Sequence, residues 1–268
     1  MYAGRFPGYY NLGPAFRRID LYTGERNAAP ELGGVTIGKA GLLHTGLGPA
    51  SATPGDARES YALRAYPIRT VGDVACGPLP PSGTLVECPA WVTAPLDLEP
   101  GSAPVVDSVH DRVYVGVNHE GIRAFDQNTG AELWRGAPAS VALATRTPAL
   151  AGGLLYAGTG TGVAVYDAAG CGAPTCPPLW QSGPAPSGEG SPGQAEQGPA
   201  VAGGVVFVPV MAPGGQPRLV AFDAHGCGQE RCEPIWGMDL PGHVVGELAI
   251  SGGKIYVPTD QGLVALGL

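Results

Sequence analysis

One unit keeps returning in this chain: "APVVDSVHDRVYVGVNHEGIRAFDQNTGAELW", then "TPALAGGLLYAGTGTGVAVYDAAGCGAPTCPPLW", then "GPAVAGGVVFVPVMAPGGQPRLVAFDAHGCGQERCEPIW". Each copy runs strand, tight turn, strand, loop, strand ending in Asp, hairpin, strand carrying Trp. Four short strands per copy cannot bury both faces of one sheet alone, so successive sheets must stack, as the blades of an all-β radial fold do. Equivalent second-strand positions are Tyr2, His44, Tyr114, Tyr156, Phe207 and Tyr256, at intervals of 42, 70, 42, 51 and 49 residues. Two insertions account for the long interval.

The outer copies are weaker. "VTIGKAGLLHTG", "SYALRAYP" and "CPAWVTAPLD" build a second unit with Pro67 in place of Asp; the start lacks a first strand and the end lacks a fourth. The spacing predicts a single domain over 1–268 with units at roughly 1–30, 31–98, 102–140, 146–184, 197–242 and 246–268. Glycine (44) and proline (28) exceed a quarter of the 268 residues, while 44% are hydrophobic and fall in short β-branched runs between GG, PG and TG turns. That combination describes a turn-rich β protein, not a disordered chain.

The segment "AFDQNTGAELW", Ala124 to Trp134, resembles the blade motif of the quinoprotein-like, PQQ-type β-propellers. That family includes quinone-dependent alcohol dehydrogenases and the non-enzymatic outer-membrane assembly lipoprotein. "IDLYTGE" is a partial second copy. The resemblance implies an all-β propeller of four-stranded antiparallel blades, and the repeats count about six units with incomplete first and last blades. It implies little about chemistry, because function lies in sites grafted on folds.

Six cysteines form three pairs in equivalent places, Cys76 with Cys88, Cys171 with Cys176 and Cys227 with Cys232, between the third strand and the Trp strand. A hairpin brings facing Cα atoms within the ~4.4–6.8 Å that a disulfide needs. Zinc would require four converging ligands, and these pairs belong to different blades without a histidine at ligand spacing. No metal site is expected. Disulfides are favoured over zinc and over free thiols, and they place the protein in an oxidising, extracellular or cell-surface setting. "MYAGRFPGYY" is not a signal peptide, so the expectation is the C-terminal part of a longer secreted protein.

Repetition assigns structural work to several residues. Trp91, Trp134, Trp180 and Trp236 share one repeat position and are expected to pack blade on blade, each indole N–H finding a partner in the next blade. Asp20, Asp126, Asp167 and Asp223 are expected to accept turn N–H groups. His44 takes a strand Tyr position and is expected to be packed; His110 and His119 lie in turns, where solvation is the simpler reading.

Function points to loops. Residues 5–14, 47–60 and 211–217 join second to third strands and 181–197 connects blades, so the meander gathers them on one face opposite the two short cysteine hairpins. The candidate binding residues there are Phe6, Tyr9 and Tyr10, which suit stacking on a sugar or peptide, and Arg146, Gln197, His243 and Glu247 near starts of inner strands. A protein or glycan partner is expected. A formal net charge of −8 with 14% charged residues argues against nucleic acid, and no apolar run reaches the ~18 residues of a membrane span.

Two function classes follow. The first is a non-catalytic secreted or surface binding scaffold, with no cofactor and no catalytic residue. The alternative is a PQQ-dependent alcohol or polymer dehydrogenase, for which the resemblance implies PQQ held with calcium by a Glu/Asn/Asp set and, in many members, a disulfide between adjacent cysteines. This sequence has no adjacent Cys-Cys, no Cys-x-x-Cys-His and no Gly-x-Ser-x-Gly, and no Glu/Asn/Asp set matches the channel positions.

Overall fold

The computed structural model describes residues 32–37, 42–47, 62–67, 90–94, 96, 103–117, 121–137, 146–159, 162–182, 197–212 and 214–267. Packing divides the chain into two compact units, Met1–Val113 with Phe125–Glu132, and Tyr114–Ala124 with Leu133–Leu268. The predicted unit 1–30, with Asp20, lies outside the described residues, as do Cys76, Cys88 and His119. All regular structure among the described residues is β-strand, and no described helix is long and apolar enough to cross a membrane.

The sheets follow the repeat. One blade comprises β1 (Leu32–Ile37), β2 (Leu42–Leu47), β3 (Ala62–Pro67) and β4 (Trp91–Val92). The next holds β5 (Val105–Asp107), β6 (Arg112–Val117), β7 (Gly121–Asp126) and β8 (Glu132–Gly136). The third contains β9 (Ala149–Ala151), β10 (Leu154–Thr159) and β11 (Gly162–Asp167); after β12 (Thr175–Cys176) it is completed by β13 (Trp180–Ser182).

The fourth contains β14 (Ala200–Ala202), β15 (Val205–Met211) and β16 (Pro217–Asp223); after β17 (Arg231–Cys232) it is completed by β18 (Trp236–Asp239). The last has three described strands, β19 (Ala249–Ser251), β20 (Lys254–Thr259) and β21 (Gly262–Gly267).

Register confirms the alignment of the repeats. His44 pairs with Ala65 and Ala65 with Trp91; Tyr156 pairs with Val165 and Val165 with Trp180; Phe207 pairs with Ala221 and Ala221 with Trp236. Trp91, Trp180 and Trp236 thus sit in one row with the second-strand position of their blades. Pro67 faces Leu42 as Asp167 faces Leu154, which puts the proline at the Asp position of its blade. Asp126 accepts from the amides of Asn128 and Thr129, Asp167 from Ala169 and Asp223 from His225. At Asp126 burial works to raise the carboxyl, and the Thr129 and Asn128 hydrogen bonds outweigh it, leaving it below its usual range. His110 is an exposed turn residue whose Nδ1 lies 2.6 Å from Asp107 Oδ2.

In the second unit the core is layered between sheets. Tyr114, Ile122, Trp134, Leu155 and Tyr166 form one layer; Tyr156, Val165, Trp180, Val208 and Phe222 form the next; Phe207, Leu219, Leu240, Ile255 and Val257 form a third. Each fully buried large side chain contributes about 1.5–3 kcal/mol, so these layers hold neighbouring blades together. The tryptophans reach the turn after the third strand of the following blade. A Cβ on Gly130 would lie 2.5 Å from the Trp91 ring, one on Gly170 2.7 Å from Trp134 and one on Gly226 2.8 Å from Trp180. Gly170 and Gly226 also have φ of +82° and +85°, so no other residue suits both the turn and the ring.

The expectation that every indole finds a partner needs correction. Trp91 Nε1 donates to the Gln127 carbonyl at 3.0 Å, but the buried Nε1 of Trp134 and of Trp180 has no hydrogen-bond acceptor. The reason is competition. The Tyr114 hydroxyl donates to the Ala168 carbonyl and that of Tyr156 to the Ala224 carbonyl, the positions equivalent to Gln127. Where the second-strand residue is Tyr, the hydroxyl takes the carbonyl; where it is His44, the indole does. Trp236 departs further, with 43% of its surface exposed against 4% for Trp134 and Trp180.

Cys171–Cys176 and Cys227–Cys232 are disulfides with Cα separations of 5.5 and 5.7 Å. Their setting differs from the simple hairpin expected. β12 and β17 do not face their own blade's third strand; each lies parallel to the outer strand of the preceding blade. Thr175 and Cys176 pair with Arg135 and Gly136, and Arg231 and Cys232 pair with Gln181 and Ser182. Arg135 N donates to Pro174 O, Ala137 N to Cys176 O and Gln181 N to Glu230 O. Each disulfide joins cysteines five positions apart and closes an excursion that stitches two blades.

Candidate binding site at the starts of the inner strands

The short inner strands β9, β14 and β19 are preceded by equivalent residues. Tyr156 pairs with Ala149, Phe207 with Ala200 and Tyr256 with Ala249, so Thr147, Gly198 and Glu247, each two residues earlier, occupy one repeat position. β14 lies against both β9 and β19, which brings these three positions from successive blades side by side.

Glu247 is the centre of this group. Its carboxylate accepts from the Thr147 hydroxyl and the Gly198 amide, with the Arg146 charge nearby. Burial pushes its carboxyl above the usual range, and the Thr147 bond, the Arg146 charge and the Gly198 amide oppose that only in part. Yet the residue is solvent-exposed by surface area. Its carboxylate is thus enclosed by neighbouring groups while the residue as a whole stays open to water.

Gly198 makes the arrangement sterically possible. A Cβ there would collide with the Thr147 carbonyl oxygen and stand 3.1 Å from Glu247 Oε2. Thr147 and Gly198 were not among the residues singled out from sequence. The signal was present: Thr147, Gly198 and Glu247 head the runs "TPALAGG", "GPAVAGG" and "ELAISGG". Of the residues proposed from sequence, Arg146 and Glu247 come together, and Gln197 adjoins Gly198 in the chain.

His243 is exposed, and its carbonyl accepts from Asp260 N; Val244 bridges Thr259. That segment therefore runs beside the β20–β21 turn, so in this blade the approach to the inner strand and the two-three turn share an edge. The loop 211–217 extends its hairpin, with Met211 paired to Pro217 and Ala212 N donating to Gln216 O. Phe6, Tyr9 and Tyr10 lie outside the described residues.

Comparison with known proteins bears on the fold. A PQQ-type family model described as outer membrane protein assembly factor BamB matches residues 91–171. BamB from Moraxella catarrhalis superposes with a TM-score of 0.54 at 18% identity, over 90% of this chain and 59% of that one. The chain has the fold of the PQQ-like repeat β-propellers. The computationally designed Ika8 protein shares the fold, with a TM-score of 0.51 at 12% identity over 88% of this chain and 71% of that one. Quinohemoprotein alcohol dehydrogenase from Comamonas testosteroni matches at a TM-score of 0.49 and 18% identity, over 64% of this chain and 34% of that one. No curated protein matches the sequence. The PQQ-like propeller thus spans 59% of the BamB chain it resembles.

The residues around Glu247 do not fit a calcium–quinone centre. Such a centre needs several anionic or neutral oxygen donors converging on the cation. Here a single carboxylate is already engaged by a hydroxyl and an amide, with a guanidinium nearby. No group of three or more acidic, histidine or cysteine side chains able to hold a metal occurs among the described residues of the PQQ-like propeller.

Proposed function

We propose that this chain is a non-catalytic secreted or cell-surface binding scaffold, which takes a protein or glycan on the edge formed by its inner-strand starts and two-three loops. The observation that carries it is the recessed Glu247 carboxylate, held by Thr147 and Gly198 from two other blades beside Arg146. A rigid polar patch contributed by three blades suits recognition, because its donors and acceptors are set before a partner arrives. The BamB description of the matching family model supports a protein partner, and the two disulfides accord with an oxidising compartment.

The test has two arms. A photo-crosslinking residue at position 243 should give discrete adducts in extracts of the native cells, and the same residue at position 230, on a cysteine excursion, should not. Titration with PQQ and calcium should leave tryptophan emission unchanged and give no dye reduction with simple alcohols. Equal adducts at both positions, or saturable quenching with turnover, would overturn the scaffold reading.

A further inference from the structure

Each disulfide joins an exposed cysteine to a buried one. Cys171 and Cys227 lie open to water, while Cys176 and Cys232 are each 3% exposed and pack in the layers of Trp134 with Tyr166 and of Trp180 with Phe222. Gly172 and Gly228 follow the exposed members. A Cβ on either would meet nothing within 4 Å, so the chain beside each exposed sulfur borders open space.

Hydrogen bonding has the same polarity. The Cys171 amide donates to Cys176 Sγ at 2.8 Å and the Cys227 amide to Cys232 Sγ at 2.9 Å. The exposed sulfurs face carbonyl oxygens, with Thr175 O 3.6 Å from Cys171 Sγ and Arg231 O 3.4 Å from Cys227 Sγ. The buried sulfurs have carbonyls near them as well, Ala173 O at 3.5 Å and Gln229 O at 3.8 Å, but farther away than the amides. In thiol–disulfide exchange, access governs which sulfur is attacked, and stabilisation of the departing thiolate governs how readily the bond breaks. Both favour attack on the exposed member, because the N–H aimed at the other sulfur holds the negative charge released there.

The buried sulfur also belongs to the seam. Cys176 O accepts from Ala137 N, and Cys232 pairs with Ser182 of the preceding blade. One amide offsets only part of the cost of a charge in an apolar layer, so a released thiolate draws its two-residue strand off that blade.

We propose that the two disulfides are exchange sites, modified by external thiols at Cys171 and Cys227, and that each exchange releases one seam between blades. A thiolate R–S⁻ attacks Cys171 Sγ in line with the S–S bond; the new S–S bond forms as the Cys171–Cys176 bond breaks, and the electron pair leaves on Cys176 Sγ. One disulfide replaces another with no net oxidation. A second R–S⁻ attacking the mixed disulfide gives R–S–S–R and the reduced pair, whereas attack by Cys176 on Cys171 expels R–S⁻ and restores the staple. The same steps apply to Cys227 and Cys232. These sites are separate from Glu247 and stand if the scaffold reading of that residue fails.

The test treats the native protein briefly with 2-mercaptoethanol, quenches with N-ethylmaleimide and maps both labels by mass spectrometry without reductant. Mercaptoethanol should lie on Cys171 and Cys227 and maleimide on Cys176 and Cys232, in at least roughly tenfold excess over the reverse, the order expected for one hydrogen bond to a charged group. The oxidised peptide GCGAPTC, the sequence of Gly170–Cys176, lacks the buried layer and should label its two cysteines more evenly. Hydrogen exchange at Ala137 N should quicken in the Cys171 adduct. An even or reversed split on the folded protein, the same split in the peptide, or no adduct at thiol concentrations that modify the peptide overturns the assignment of the exchange sites. Unchanged protection of Ala137 in the Cys171 adduct overturns their link to the seam.

Discussion

The Tyr156 hydroxyl donates to the Ala224 carbonyl at 3.1 Å, across 68 residues of chain. Burial, and the Asp223 charge after it, raise the phenol above its usual range, so it remains a donor at any physiological pH. Because it holds the carbonyl that an indole takes at Trp91, the Trp180 N–H is left without an acceptor. Tyr156→Phe should therefore cost about 1 kcal/mol or less, since the indole can claim the vacated carbonyl. Tyr166→Phe, which strips the Ala137 carbonyl of its side-chain donor, should cost more. Urea denaturation of both variants checks the order.

Gly226 and Gly204 separate two effects of adding a methyl group. Both have positive φ, but a Cβ at Gly204 meets nothing within 4 Å whereas one at Gly226 meets the Trp180 ring at 2.8 Å. Gly204→Ala should lose about 1–2 kcal/mol from backbone strain alone. Gly226→Ala should lose a further ~1–3 kcal/mol from overpacking. Thermal melts of the two variants measure the difference.

Reduction should open the seams between blades selectively. The amides of Arg135, Ala137 and Gln181 donate into the disulfide excursions, while Leu240 N donates to Pro217 O within its own blade. Hydrogen exchange after reduction, or in Cys176→Ser and Cys232→Ser, should accelerate at the first three and remain unchanged at Leu240.

Glu247 gives a pH dependence of defined sign. Its carboxyl is raised in the folded protein above the ordinary 4.5, so the native state binds the proton more tightly than the unfolded chain. Stability contributed through this group is greatest below about 4.5 and falls as pH rises from there through the raised value, where the recessed carboxylate becomes charged. Glu247→Gln should flatten that part of the profile. Melting temperatures of both proteins from pH 4.5 upward check it, and parallel curves would count against the assignment.

Much of the fold was legible in the sequence because each blade is local. Strand, GG turn, strand and Asp turn fall within about 40 residues, and the periodic Asp and Trp fix the register without reference to any distant residue. The pairing of Cys171 with Cys176 and Cys227 with Cys232 was legible for the same reason, five residues being too few to choose other partners. The direction of the excursions was not. Two-residue strands such as β12 and β17 show no periodicity, and nothing near them names the preceding blade as their partner.

The candidate site was legible only as a list. Arg146 and Glu247 could be placed near inner-strand starts, but Thr147 and Gly198 acquire meaning only when neighbouring blades lie side by side. Glu247 and Thr147 are 100 residues apart in the chain, and their contact depends on how β9, β14 and β19 pack. By itself the sequence determined the β-blade repeat, its turns and its local disulfides, because those depend on spacing and residue type. Only the tertiary structure decided which carbonyl each Tyr or Trp captures, which blade each disulfide excursion joins and which carboxylate is recessed, because each is settled by competition among groups that folding alone brings together.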